Sequence, residues 1–162
     1  MRGRLVALAA ALLLGGCASP PPAGPPTPAQ RTGVAEALAV ERQWLDAWFK
    51  GTPVRIGQRP DGAIDIEVPR EFCFDPGRSV VKPALAAVLD KLAESLRRVP
   101  LAYVPLMAAP GDSATAPPSL AQQRAQQVRD QLRSRGVAAE RLGSPAETTA
   151  AVVHLRMTGA AP

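Results

Sequence analysis

Histidine occurs once in this 162-residue chain and cysteine twice, and aromatic residues make up 4% of it. The single His154 has no Cys, His or acidic set at metal spacing around it, so it reads as a solvated strand residue rather than a ligand. No cofactor motif is present. There is no G-x-S-x-G nucleophile turn and no carboxylate pair that stands apart, which leaves an enzyme poorly supported. Asp61, Asp65 and Glu67 read as turn and strand-surface residues. No apolar run reaches the ~20 residues of a spanning helix. The net charge is +5, without the basic block that would argue for nucleic acid. No internal repeat appears.

What is there begins with a leader. Residues 1–16 carry Arg2 and Arg4, an apolar run of about ten residues, and Gly15-Gly16 before Cys17. That is the pattern of a secretory signal peptide with a small-residue cleavage site. A retained anchor is the alternative, and the short run weighs against it. Leu14-Gly15-Gly16-Cys17 resembles the lipobox of bacterial lipoproteins, in which the Cys becomes the mature N-terminus and carries acyl chains such as palmitate. The resemblance implies lipid attachment at Cys17. An ordinary cleaved signal with an incidental Cys is the rival reading. Several acyl chains at ~0.8 kcal/mol per buried CH₂ hold a protein firmly on a membrane. Ala18, rather than Asp, follows the Cys, which by analogy with enterobacterial sorting favours the outer membrane. Removal of the leader lowers the net charge to about +3 and leaves Cys73 alone in an oxidising compartment. A buried small hydrophobe is the first reading of that residue, an intermolecular bridge the second.

Residues 19–30 hold six prolines in twelve positions. As polyproline II this is a spacer of roughly 35–40 Å; as disordered chain it is still a linker. The apolar residues Val34, Leu38, Val40, Trp44, Leu45, Trp48 and Phe49 then predict an amphipathic helix over 34–50, stopped by Gly51 and Pro53. It holds both tryptophans. Its polar arc mixes Glu36, Glu41 and Asp46 with Arg42 and Lys50, which favours a helix packed on the following domain over a membrane-surface or partner-binding helix. Residues 53–68 read as a hairpin: Val54 and Ile56 alternate, Arg59-Pro60-Asp61-Gly62 turns, and Ile64, Ile66 and Val68 alternate. Strand parity carried past Pro69 puts Phe72 and Phe74 on the face of Val68. Residues 83–98 are a helix opened by Pro83, with Leu85, Val88, Leu89, Leu92 and Leu96 as its apolar stripe. Residues 101–107 read as a strand in which Pro105 marks an edge or a bulge. Residues 108–118 form a loop.

Residues 119–136 are the most informative stretch. Ser119 and Gln122 have capping-box spacing. Ala121, Ala125, Val128 and Leu132 make one narrow stripe. Gly136 falls where a left-handed C-cap belongs. Arg124 lies beside the stripe near the loop. Residues 140–149 look irregular, and 151–157 form a last strand with Val153, Leu155 and Met157 inward and His154 and Arg156 outward.

Phe72-Cys73-Phe74-Asp75-Pro76-Gly77, the spaced leucines of 81–96, Leu120-Ala121-Gln122-Gln123-Arg124-Ala125-Gln126-Gln127-Val128, Arg135-Gly136-Val137 and Arg141-Leu142 together resemble the C-terminal domain of the OmpA/Pal/MotB family of peptidoglycan-associated proteins. About 90 residues carry the likeness. It implies an α+β fold, an OmpA-like β-α-β-α-β sandwich with helices on one face of a small mixed sheet, preceded here by a β-hairpin and an N-terminal amphipathic helix. The resemblance makes Arg124 a ligand for the amino-acid head of diaminopimelate, an Arg fork suiting its carboxylate, with N–H groups near Ser119 adding favourable dipole. Without the resemblance Arg124 reads as a surface Arg on a polar helix. The family's acid, fifteen residues before the Arg, falls on Ala109, and Asp112 three residues later reaches that place only if the loop is remodelled. The family's closing Asn-Arg-Arg-Val is replaced by Ala150-Ala151-Val152-Val153.

These observations divide the chain into a signal peptide over 1–16, a lipidated Cys17 with a Pro-rich linker over 17–31, an amphipathic helix over 32–52, an OmpA-like domain over 53–158 and a tail over 159–162. The expected function is non-catalytic: an outer-membrane lipoprotein, its domain facing the periplasm, that tethers the envelope through the peptidoglycan stem peptide. Tentative ligand residues are Arg124, Asp112 and Ser119. The alternative is a scaffold or assembly lipoprotein whose degenerate domain binds another envelope protein.

Overall fold

Alternating side chains set the sheet. In the computed structural model residues 27–113 and 118–159 are described; residues 1–26, with the leader and Cys17, lie outside the described residues, as do 114–117 and 160–162. The strands are β1 (Arg55–Gln58), β2 (Ile64–Pro69), β3 (Tyr103–Pro110), β4 (Pro145–Thr148) and β5 (Val152–Thr158), and their spatial order is β1-β2-β5-β3-β4. β2 and β3 both run antiparallel to β5, which lies between them, and β4 pairs parallel with β3. The sheet is therefore mixed, and the fold is α+β. The hairpin expectation holds: Gly62 closes the β1–β2 turn at φ +82, and its N–H donates to the Arg59 carbonyl at 3.0 Å.

One sheet face is apolar. Ile64, Ile66 and Val68 on β2 and Val153, Leu155 and Met157 on β5 are buried, while Asp65, Glu67, His154 and Arg156 alternate with them on the other face. His154 and Arg156 both bond the Asp65 carboxylate, at 3.1 and 2.7 Å. The core cluster joins the inward residues to three helices: α1 (Pro28–Trp48), α3 (Pro83–Arg98) and α4 (Pro118–Ser134), with a single turn α2 (Arg70–Cys73) between β2 and α3. The five residues of the α3 stripe are all buried, as are the four of α4. Each large aliphatic side chain so buried contributes roughly 1.5–3 kcal/mol.

Helix α1 begins six residues before the apolar periodicity does, inside the stretch that reads as spacer. Thr27 and Gln30 form a reciprocal capping box, and Pro28 takes the first helical position. The helix packs on the domain. Val34, Leu38 and Leu45 are buried, and Glu41 between them takes a two-pronged bond from Arg98 of α3 at 2.8 and 2.7 Å. Lys91 stands 4.1 Å over Trp48 and Arg98 3.9 Å over Trp44.

Four local readings change. Pro69 ends β2, and residues 70–73 make a helical turn, so strand parity fails there: Phe72 is exposed while Cys73 and Phe74 are buried. Of the two readings of Pro105 the edge falls away, since β3 lies between β5 and β4, and the bulge holds: it falls in a register shift between Tyr103 and Leu106. β3 runs on to Pro110, three residues past its expected end. Residues 145–148 are not irregular but an edge strand, hidden in the sequence because Pro-Ala-Glu-Thr has no apolar alternation. Gly143 permits the approach that leads into it, because a Cβ there would overlap the Pro105 carbonyl.

Candidate functional site

Helix α4 presents Arg124 in its second turn, beside the buried stripe. The helix opens at Pro118, so Ser119 is its second residue and not its N-cap; Pro outcompetes Ser for the first helical position because its missing N–H has no partner there. The side chains of Pro118 and Ser119 lie outside the described residues. The other end matches expectation. Gly136 has φ +83, its N–H donates to the Arg133 carbonyl, and the Val137 N–H reaches back to Leu132, the paired bonds of a Schellman cap.

Arg124 is not a surface residue. Its side chain is 0% exposed. Nε donates to the Arg78 carbonyl at 2.8 Å, Nη1 to the Pro110 carbonyl at 2.9 Å, and Nη2 to the Asp75 carbonyl at 3.1 Å. The guanidinium also stands 4.9 Å from the Phe74 ring. It thus ties the β2–α3 connection, the end of β3 and α4 together. Its charge is met by Asp112, whose Oδ1 accepts from Nη2 at 2.6 Å.

Asp112 lies in the short segment after β3 and reaches Arg124, while Ala109 is buried in the core. The second oxygen, Oδ2, accepts the Gly77 N–H at 2.6 Å. Gly77 sits in the left-handed region at φ +68, which aims that N–H at the carboxylate. The Gly77 N–H first, and then Arg124, hold the Asp112 carboxyl below the usual range. Arg70 Nη1 donates to the carbonyls of Gly111 and Asp112 and fixes the same segment from the other side.

Outside this pair lies an open cleft of about 400 Å³ lined by Arg70, Glu71, Phe74, Asp75, Pro76, Lys82 and Asp112. Lys82 spans it, with Nζ donating to the Glu71 carbonyl at 2.9 Å and paired with Asp75 at 3.2 Å. Its lining holds two cations and three carboxylates, a set suited to a ligand that carries both charges. The Asp75-Pro76-Gly77 turn signals Gly77 in the sequence; nothing there singles out Arg70 or Lys82. Cys73 lies beneath the cleft, buried, with its thiol pushed up to about 12 chiefly by burial. Among the described residues no group of three His, Cys, Asp or Glu is placed to hold a metal ion, and no helix is long and apolar enough to cross a membrane.

No family model matches the chain, and no curated protein matches it by sequence. Solved structures do match it in shape. A putative MotB-like protein from Desulfovibrio vulgaris superposes with a TM-score of 0.59 at 17% identity, over 79% of this chain and 94% of that one. The periplasmic domain of MotB gives 0.54 at 15% identity, over 67% and 69%. A structure described as the cell wall anchor of the T6SS from Pseudomonas aeruginosa gives 0.51 at 20% identity, over 82% and 99%. At these identities the likeness establishes the fold.

Proposed function

We propose that the chain is a non-catalytic outer-membrane lipoprotein, held by acyl chains on Cys17, whose periplasm-facing OmpA-like domain binds the peptidoglycan stem peptide and tethers the envelope to the wall. The observation that carries this reading is the Asp112–Arg124 pair at the base of a cleft of mixed charge. An amino-acid head presents a carboxylate and an ammonium, and the cleft offers Arg70 and Lys82 for the one and Glu71 and Asp75 for the other. The fold shared with a MotB periplasmic domain and with a protein described as a cell wall anchor supports the same assignment. The leader, the lipobox-like Leu14-Gly15-Gly16-Cys17 and the proline-rich stretch support the anchor.

Sedimentation of the mature, delipidated chain with purified sacculi tests it. The folded chain pellets at low salt, less so as salt screens the cleft, and Lys82→Glu reduces the pelleted fraction. A folded chain that stays in the supernatant at low salt overturns the wall-binding reading. It would favour the second reading, a scaffold for another envelope protein, which has its own support in the complete burial of Arg124, a family ligand residue already bonded within its own chain.

A further inference from the structure

We propose that Arg124 and the Gly77 N–H form a carboxylate-binding cradle whose resident occupant is the chain's own Asp112, and that an external carboxylate takes the cradle when Asp112 leaves it. The identity of that external group as a stem-peptide carboxylate rests on the function proposed above; the cradle itself does not.

The two oxygens of Asp112 are held separately, Oδ1 by a guanidinium N–H and Oδ2 by a backbone N–H, each at 2.6 Å. That is how a protein binds a free carboxylate: one charge-assisted donor and one main-chain donor on a left-handed glycine. The donors do not depend on Asp112 for their placement. Arg124 is clamped by the carbonyls of Asp75, Arg78 and Pro110. Gly77 is fixed by its own turn, in which the Arg78 N–H donates to Asp75 at 3.0 Å. The cradle therefore keeps its shape when emptied, which is the condition for binding without reordering.

The pair is also unequal. Arg124 is sealed from solvent, whereas the Asp112 side chain is 37% exposed on the cleft wall. The anion can move to water and the cation cannot. A buried guanidinium without a counter-ion is costly, so a vacated cradle draws in another anion. Lys82 and Arg70 line the way in. Asp112 then acts as an internal competitor for the cradle.

Asp112→Ala tests this without any wall material. At equal ionic strength, exchanging chloride for acetate raises the melting temperature of Asp112→Ala by about 5 °C, the shift that roughly tenfold saturation gives a domain of this size. The wild type, with its cradle filled, does not respond. Asp112→Asn, which has one acceptor oxygen for the two donors and no charge to meet Arg124, responds by less than Asp112→Ala and more than the wild type. If Asp112→Ala is unfolded in chloride, acetate restores its tryptophan fluorescence. An Asp112→Ala protein indifferent to acetate, folded or not, overturns the cradle, and so does a wild type that responds equally. A second arm uses sacculi: with the competitor gone, Asp112→Ala pellets about tenfold more tightly than the wild type, a difference of about 1.4 kcal/mol. Acetate rescue without pelleting keeps the cradle and removes the peptidoglycan reading. Pelleting of the wild type that Asp112→Ala abolishes keeps that reading, makes Asp112 a direct ligand, and overturns its role as occupant.

Discussion

Arg141 and Arg124 are each held by three main-chain carbonyls, and one further bond separates them. Arg141, at the end of the single 3-10 turn Ala139–Arg141, donates to the carbonyls of Leu96, Val99 and Ala102, at 2.8, 2.9 and 2.9 Å. It closes the C-terminus of α3, where the last carbonyls of any helix lack partners. Burial pulls its pKa down. Arg124 does the same work across three segments and adds a carboxylate. Carbonyls of a fixed backbone cannot be traded for a ligand, but a carboxylate on a half-exposed side chain can. The comparison separates an arginine that only holds the fold from one whose last bond is exchangeable.

The largest effect expected from breaking it is on stability. Arg124→Ala removes four hydrogen bonds at once, three to carbonyls and one to the Asp112 carboxylate, and about 4–5 kcal/mol is expected, at roughly 1 kcal/mol for each carbonyl and more for the charged pair. Arg141→Ala removes three hydrogen bonds to carbonyls, of which Val99 keeps the Ala102 N–H, and about 2–3 kcal/mol is expected, at roughly 1 kcal/mol for each hydrogen bond. Urea denaturation of both variants checks the order. Equal losses would mean that the carboxylate adds nothing to the carbonyl clamp.

Much of this was legible in the chain. The spacing of leucines on α3, the stripe and glycine stop of α4, and the alternation of β2 and β5 are strong periodic signals, and each element formed where its pattern lay. Arg124 was legible as a candidate position from its neighbours in the motif, and Asp112 as the acid a remodelled loop could bring to it. The burial of Arg124 was not. A helix with Gln at 122, 123, 126 and 127 reads as solvated along that side, and only the tertiary approach of residues 75–78 and of Pro110 turns the surface at Arg124 into an interior. β4 was illegible for a related reason: an edge strand needs a neighbour's backbone more than an apolar pattern. The early start of α1 was written in Thr27-Pro28-Ala29-Gln30, a cap signature obscured by the prolines before it.

A smaller effect sharpens the contrast with a third arginine. Arg98 bonds Glu41 across the α1–α3 junction, but its own side chain is 42% exposed, so this is a partly buried pair of ordinary geometry. Glu41→Ala is expected to cost about 1–2 kcal/mol, less than Arg124→Ala because Arg98 recovers water as a partner. Trp44 and Trp48 report on it directly: loosening of α1 separates them from Arg98 and Lys91, and their emission shifts to the red before the global unfolding transition. Coincidence of that shift with global unfolding would make α1 part of one cooperative unit with the sheet.

The smallest effect is the one that isolates the exchangeable bond. The folded-state pKa of Asp112 lies below its unfolded value, held there by the Gly77 N–H and by Arg124. Such a group contributes stability that is present above the unfolded pKa, near 3.9, and is lost as pH falls through the folded value. Wild type and Asp112→Asn should therefore differ in stability at pH 6 and converge at acid pH, where the wild-type carboxyl is protonated. Glu41 and Asp65 also have lowered pKa values, their arginine partners outweighing the upward push of burial. They titrate in the same range but are common to both proteins and cancel in the difference. The gap between wild type and Arg141→Ala serves as the control, because the bonds of Arg141 go to carbonyls that do not titrate. It should stay constant as pH falls from 6 to 3 while the Asp112 gap narrows. Parallel curves for wild type and Asp112→Asn across that window would remove the one bond on which the distinction between the two arginines depends.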